Sequence, residues 1–172
     1  MSAQWCAGAN TGWARSDTSR RDVMSIRDEM QLLARHEGEW VGEYVLVDAS
    51  GAIIDRHASH LTCTFPEEGG AYDYFQTNRY RWEDGREETF SFPATFRDGR
   101  IWFDTERIEG SAWEIDERTI VLTWRRKDIE EAELYEMIQL SPDGEHRART
   151  WHWFQGGELQ QRTLIKERRL KR

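Results

Sequence analysis

The stretch Ala71-Tyr72-Asp73-Tyr74-Phe75-Gln76-Thr77-Asn78-Arg79-Tyr80-Arg81-Trp82, followed by Glu83-Asp84-Gly85, decides the fold. Its even positions carry rings and amides without charge, while Asp73, Arg79 and Arg81 all fall on odd positions. Successive side chains of a β-strand point to opposite faces, so the stretch reads as a strand with one solvated and one inward face. Asp84-Gly85 then supplies the positive backbone angles that a tight hairpin demands.

Outward from this strand the period of two persists. Strands are predicted near residues 40–48, 52–65, 71–82, 87–96, 100–108, 111–116, 119–127, 132–141, 146–154 and 158–168. The separators are turn chemistry: Ala49-Ser50-Gly51, Glu68-Gly69-Gly70, Asp98-Gly99, Glu109-Gly110, Asp143-Gly144 and Gly156-Gly157. Unbroken hairpin succession describes a meander, and a meander this long escapes its exposed edges most simply by closing into an antiparallel all-β barrel. A two-sheet sandwich or an open sheet curved around a helix are the alternatives. Before the strands, Val23, Ile26, Met30 and Leu33 form one apolar stripe on a 3.6-residue period, which predicts an amphipathic helix over 19–36. Ser19 with Asp22, or Ser25 with Asp28, offers a capping start, and Gly38 a stop. Residues 1–18 are small, polar and aperiodic and read as a flexible leader, so one barrel domain over 19–172 is expected.

Bulk composition narrows the function classes. The 172 residues hold 9 Trp, 7 Phe and 5 Tyr, which argues for a folded aromatic core although 33% of residues are charged. With 24 basic against 32 acidic side chains the net charge is −8, unfavourable for a nucleic-acid partner. The basic run from Lys166 to Arg172 reads as a solvated tail. Two cysteines, Cys6 and Cys63, do not make a disulfide framework, and no apolar run reaches a membrane-spanning length. A cytoplasmic protein without a membrane partner is expected.

Gly38-Glu39-Trp40, at the junction of helix and first strand, resembles the Gly-x-Trp signature of lipocalins and the wider calycins. The continuation Trp40-Val41-Gly42-Glu43-Tyr44 is similar to the first strand of bacterial lipocalin-like domains and nitrobindin-type barrels. The resemblance covers roughly residues 38–170. It implies a barrel whose base is closed by Trp40, with a basic residue from a late strand, Arg162 or Lys166, packed across the indole. No haem ligand is carried over, because no histidine context matches.

The even face of the opening stretch supplies a candidate ligand wall of Tyr72, Tyr74 and Tyr80, joined by Phe90 and Trp124, with Gln76 and Asn78 to orient a ligand. In Arg147-Ala148-Arg149-Thr150-Trp151-His152-Trp153-Phe154, the small residues beside His152 and Phe154 point to that parity as the inward one. His152 is then a candidate proton carrier. On the strand expected over 100–108, Asp104 and Glu106 share one face about 7 Å apart, a spacing at which paired carboxylates serve as acid and base or bind a cation. Glu136 interrupts the apolar stripe of Leu134 and Ile138, so it sits at a rim or is buried against Arg125, Arg149 or Arg162. His57 and His60 are three apart and face opposite ways, so they form no metal pair, and no cofactor-binding glycine motif is present.

Three readings follow. The first is a barrel binding a small apolar or aromatic ligand. The second is a cofactor-independent isomerase, cyclase or lyase in the same cavity, using His152, Glu136 or Asp104, and Arg149. The third is an interaction protein, a homodimer through exposed tryptophans.

Overall fold

The computed structural model describes residues 25–67 and 69–171. Ten antiparallel strands follow two short helices: β1 Gly38–Asp48, β2 Ile53–Thr64, β3 Tyr74–Arg81, β4 Glu87–Arg97, β5 Arg100–Asp104, β6 Ile108–Glu114, β7 Thr119–Arg126, β8 Ala132–Leu140, β9 His146–Gln155 and β10 Glu158–Arg169. Each strand pairs with its sequence neighbours, and β1 also pairs with β10, closing the barrel without a free edge. The expected closed meander is therefore the observed architecture. The leader at 1–18 and the first residues of the expected helix lie outside the described residues.

The helix over 19–36 is corrected. Two turns, α1 Ile26–Glu29 and α2 Gln31–Ala34, are separated by Met30 at φ −115° and ψ 69°. The break turns Met30, Leu32 and Leu33 together onto the barrel's base, where all three are buried. A second helix start exposes orphan amides, and Glu114 of β6 answers it by accepting a hydrogen bond from Leu33 N at 2.8 Å. Ser25 with Asp28 forms the capping box of α1.

One strand boundary also moves. The turn between β5 and β6 is Thr105-Glu106-Arg107, with Thr105 Oγ1 accepting from the Arg107 and Ile108 amides. Gly110, expected in a turn, lies within β6, where an added Cβ would sit 2.1 Å from the Thr123 carbonyl. Gly42 of β1 is constrained in the same way, 2.1 Å from the Lys166 carbonyl. Both glycines let a neighbouring strand approach closely across the inner face.

The base is sealed by Trp40, which is fully buried and donates its indole N–H to the His36 carbonyl at 2.9 Å. Its ring lies between two guanidinium carbons, Arg147 at 4.4 Å and Arg169 at 4.3 Å. The expected partner, Arg162 or Lys166, is thereby corrected to Arg169 with Arg147. On β10 the even-numbered side chains point outward, whereas Arg169 shares the inward parity of Thr163, Ile165 and Glu167. Arg169 also donates to the carbonyls of Arg35, Glu37 and Gly144, tying the helical cap to the barrel wall. No described helix is long and apolar enough to cross a membrane.

Candidate functional site

The end of the barrel opposite the helical cap holds a cavity of about 500 Å³. Its wall is aromatic: Tyr80 from β3, Phe90 and Phe92 from β4, Trp124 from β7, and Trp151 and Trp153 from β9. Phe92 and Trp124 lie 5.4 Å apart at 32°, while Trp124 and Trp151 meet edge to face at 6.4 Å. Such rings fix a slot suited to a flat molecule. The β5–β6 turn contributes Glu106 and Arg107 to the rim, and Arg126 lies beside them. Arg107 stands 5.0 Å over the Phe90 ring, and Arg126 forms a two-point ion pair with Asp128.

Beneath the cavity the interior turns polar. Arg149 bonds Glu136 through Nε and reaches the Tyr44 hydroxyl at 2.9 Å and Glu167 at 3.5 Å through Nη1. Arg147 pairs with Glu167, whose side chain is fully buried. Two guanidiniums thus face two carboxylates in a closed, charge-balanced layer. Burial alone lowers the Arg149 pKa, but Glu136, Tyr44 and Glu167 outweigh it and hold the guanidinium well above its ordinary value. Beside this layer a chain of side-chain bonds runs along β3: Tyr74 OH to Gln76 at 3.1 Å, Gln76 to Asn78 at 2.8 Å, and Asn78 to the Tyr80 hydroxyl at 2.8 Å. Burial raises the Tyr74 and Tyr80 pKa values, so both remain phenols. The chain holds the Tyr80 ring at the cavity floor.

A second arrangement lies one ring away. His57 Nδ1 is 2.8 Å from Asp55 Oδ2, and the Trp82 indole donates to the same carboxylate at 2.9 Å. Burial alone raises the Asp55 pKa, but the bonds from His57 and Trp82 bring it below the usual carboxylate value. An ionised carboxylate only accepts, so His57 donates through Nδ1. Among the described residues its Nε2 is buried without a hydrogen-bond partner, enclosed by Tyr44 at 5.2 Å, Tyr80 at 4.9 Å and Trp82 at 4.4 Å between ring centroids.

The structure brings together part of the expected set. Tyr80, Phe90 and Trp124 line the cavity; Tyr74, Gln76 and Asn78 share their inward side but lie deeper, and Glu136 and Arg149 form the buried pair. Tyr72 precedes β3 and is exposed. Asp104 points outward to Lys127, and Glu106 sits in the turn, so the two do not share a strand face. The expected parity of β9 is reversed: Arg147, Arg149, Trp151 and Trp153 face inward, and His152 lies outside against Phe154. Register requires this, because Glu136 opposes Trp151 and Ile138 opposes Arg149 across the β8–β9 ladder. Directly paired residues share a face. Sequence reasoning passed over Asp55 with His57, whose two-residue spacing places them on one face. It also passed over Glu167, Trp151 and Trp153, whose inward direction follows once Glu136 is known to be buried.

No family model matches the chain, and no curated protein matches it. Solved structures match its fold. A protein of unknown function from the DUF3598 family of Nostoc punctiforme aligns with a TM-score of 0.65 at 18% identity, over 80% of this chain and 49% of that one. This chain thus spans about half the length of the Nostoc protein. The S-type phycobiliprotein lyase CPES from Guillardia theta aligns with a TM-score of 0.67 at 14% identity, covering 87% of this chain and 95% of that one. Rv2717c from M. tuberculosis gives 0.57 at 15% identity, over 83% and 98% of the two chains. These likenesses are of fold, a calycin-like barrel.

Proposed function

We propose that this barrel binds a small, flat, largely apolar or aromatic molecule in the cavity at its open end. The observation that carries the reading is the aromatic slot over a locked polar floor. Its volume of about 500 Å³ falls within the roughly 300–1,000 Å³ usual for small-ligand sites. Phe92, Trp124 and Trp151 supply stacking and edge contacts, and the floor is held rigid by the Arg149–Glu136 pair and the β3 hydrogen-bond chain. A preformed site of this kind spends little free energy on ordering itself when a ligand enters.

Turnover is the second reading, favoured by the Asp55–His57 pair. A histidine oriented by a carboxylate, with its other nitrogen free, is the arrangement a proton carrier uses. The phycobiliprotein lyase shows that an enzyme exists on this fold. His57, rather than the outward His152, is the residue that such chemistry would employ here.

Native mass spectrometry of protein purified from its own host, set against the denatured mass, tests the binding reading. A retained molecule of a few hundred daltons is expected, and Ile108→Trp, which sets a larger ring into the cavity wall, should reduce its retention. His152→Ala, on the outer wall, should keep it. An unliganded mass for the parent protein overturns the carrier reading.

A further inference from the structure

Exposed apolar side chains gather on one outward face of the barrel. Tyr135, Met137 and Leu164 are each 42–47% exposed and lie in the sector β8–β9–β10. Register makes them neighbours: Met137 opposes Thr150, which opposes Leu164, and Tyr135 opposes His152, which opposes Arg162. One step toward the base, Gln139, Ala148 and Lys166 form the next row. The outward side chains of β9 include no Lys, Arg, Asp or Glu, in a chain that is 33% charged. Depletion of charge at the centre of a face marks the core of a protein interface. Among the described residues the outward tryptophans, Trp102 and Trp113, lie elsewhere and are covered by Arg97 at 4.4 Å and Arg100 at 4.3 Å.

Charge flanks this strip unequally. On β10, Arg162, Lys166 and Arg168 point outward, and among the described residues none of them enters an ion pair. Lys166 opposes Glu43 across the β1–β10 ladder, but Arg56 holds that carboxylate at 2.6 Å. On β8 the outward charge is Glu133, which accepts a hydrogen bond from the Tyr135 hydroxyl at 3.0 Å. Glu133 opposes Arg125, but that guanidinium is drawn to Glu109. The face therefore carries unpaired cations on its β10 side and an unpaired carboxylate on its β8 side, with an uncharged strip between.

We infer that this face pairs with the same face of a second copy of the chain, about a two-fold axis that lies in the contact plane and runs along β9. Such an axis carries β10 of each copy over β8 of the other. Leu164 then packs on Met137, and Arg162 reaches the Tyr135 ring and the Glu133 carboxylate beside it. Ala148 and Thr150 meet their own counterparts at the axis, where their small side chains let the two sheets approach to the roughly 10 Å of packed sheets. The other in-plane axis, across the strands at Thr150, would set Arg162 of each copy on Lys166 of the other, so like charges exclude it. The two barrels stand side by side with both cavities opening at the same end. About a dozen side chains from each copy take part, fewer than the roughly 20–30 a side of a standard interface, so the pair is weak and reversible. Pairing of this kind is independent of what the cavity holds.

Sedimentation velocity of the full chain, from micromolar to millimolar concentration, tests the pairing. The sedimentation coefficient should rise with concentration from that of a monomer to that of a dimer and no further. Leu164→Glu, at an exposed position, sets a carboxylate on Met137 and should weaken association by about tenfold or more. Glu133→Arg sets a cation against Arg162, and Arg162→Glu sets a carboxylate against Glu133; each should weaken association by about three- to tenfold. The double variant lets opposite charges meet again and should return to within about twofold of the parent. Thr95→Glu, exposed on the outward side of β4, should leave association unchanged. Near-ultraviolet circular dichroism matching that of the parent shows that each barrel is intact. A monomer at every concentration overturns the inference and leaves the face to a different protein. A dimer untouched by Leu164→Glu, or species larger than a dimer, overturns it as well, and a double variant as weak as the singles refutes the axis along β9.

Discussion

Arg149→Met is the most informative single change in this molecule. The Arg149 side chain is only 4% exposed and pairs with Glu136, which is 2% exposed. Removing the guanidinium leaves that carboxylate charged in a closed interior, takes the donor from the Tyr44 hydroxyl and weakens the hold on Glu167. Breaking a buried pair from one side costs about 3–5 kcal/mol. For a domain of this size each kcal/mol lowers the melting temperature by about 2–4 °C, so a fall of about 6–20 °C is expected. The paired variant Arg149→Met with Glu136→Leu removes both charges and should recover most of the loss, since a buried pair contributes little over an apolar replacement of similar volume. Urea unfolding followed by tryptophan fluorescence measures both, and a double-mutant cycle gives the coupling. A single variant that costs about 1 kcal/mol or less, or a double variant that is simply additive, would refute the picture of a dry, closed ionic floor.

Two further outcomes are expected. Gly42→Ala places a Cβ 2.1 Å from the Lys166 carbonyl and 2.7 Å from Glu167 Cγ, which should cost about 3 kcal/mol or more in urea; Gly85→Ala, with open space around it but φ at 88°, should cost about 1 kcal/mol. His36 is held well below the ordinary histidine value of 6.5, first by burial and then by Arg147, Arg149, Arg169 and Arg35. The unfolded chain therefore takes up the proton first, so stability is full above about pH 6.5 and falls as pH drops below it, by up to about 1.4 kcal/mol per pH unit. Urea midpoints at several pH values should show this slope in the parent and a flatter one in His36→Gln; matching slopes would refute it.

The fold was legible because its punctuation is chemical. Asp-Gly and Gly-Gly pairs need positive φ angles and mark hairpins whatever surrounds them, so the strand count and order survived. The even face of β3 was legible because charge sat only on its odd positions. The parity of β9 was not, because both of its faces mix aromatic with polar residues. Arginine normally signals solvent, and here Glu136 and Glu167 reverse that meaning from strands the local pattern does not contain. Gly110 misled for a related reason: a glycine required by close strand approach looks, in sequence, like one required by a turn. The break at Met30 depends on the base it packs against, so the 3.6-residue period could not show it. The two-residue spacing of Asp55 and His57 places them on one face of β2, but only the burial of that face against Tyr44, Tyr80 and Trp82 makes them a pair.

The Trp40 clamp has a consequence for how the chain is made. The indole belongs to the first strand, yet the guanidiniums on either side of it come from the last two strands, and Arg169 bonds the Glu37 carbonyl across 132 positions of sequence. During synthesis β1 leaves the ribosome early, with one flank free to pair with β2 and the other without a partner until β10 is complete. For that interval the nascent sheet keeps an open flank and an unstacked Trp40. Sealing of the base is thus coupled to the closing seam of the barrel. A ribosome stalled before Arg169 would leave a nearly finished sheet whose first strand remains a template for another chain.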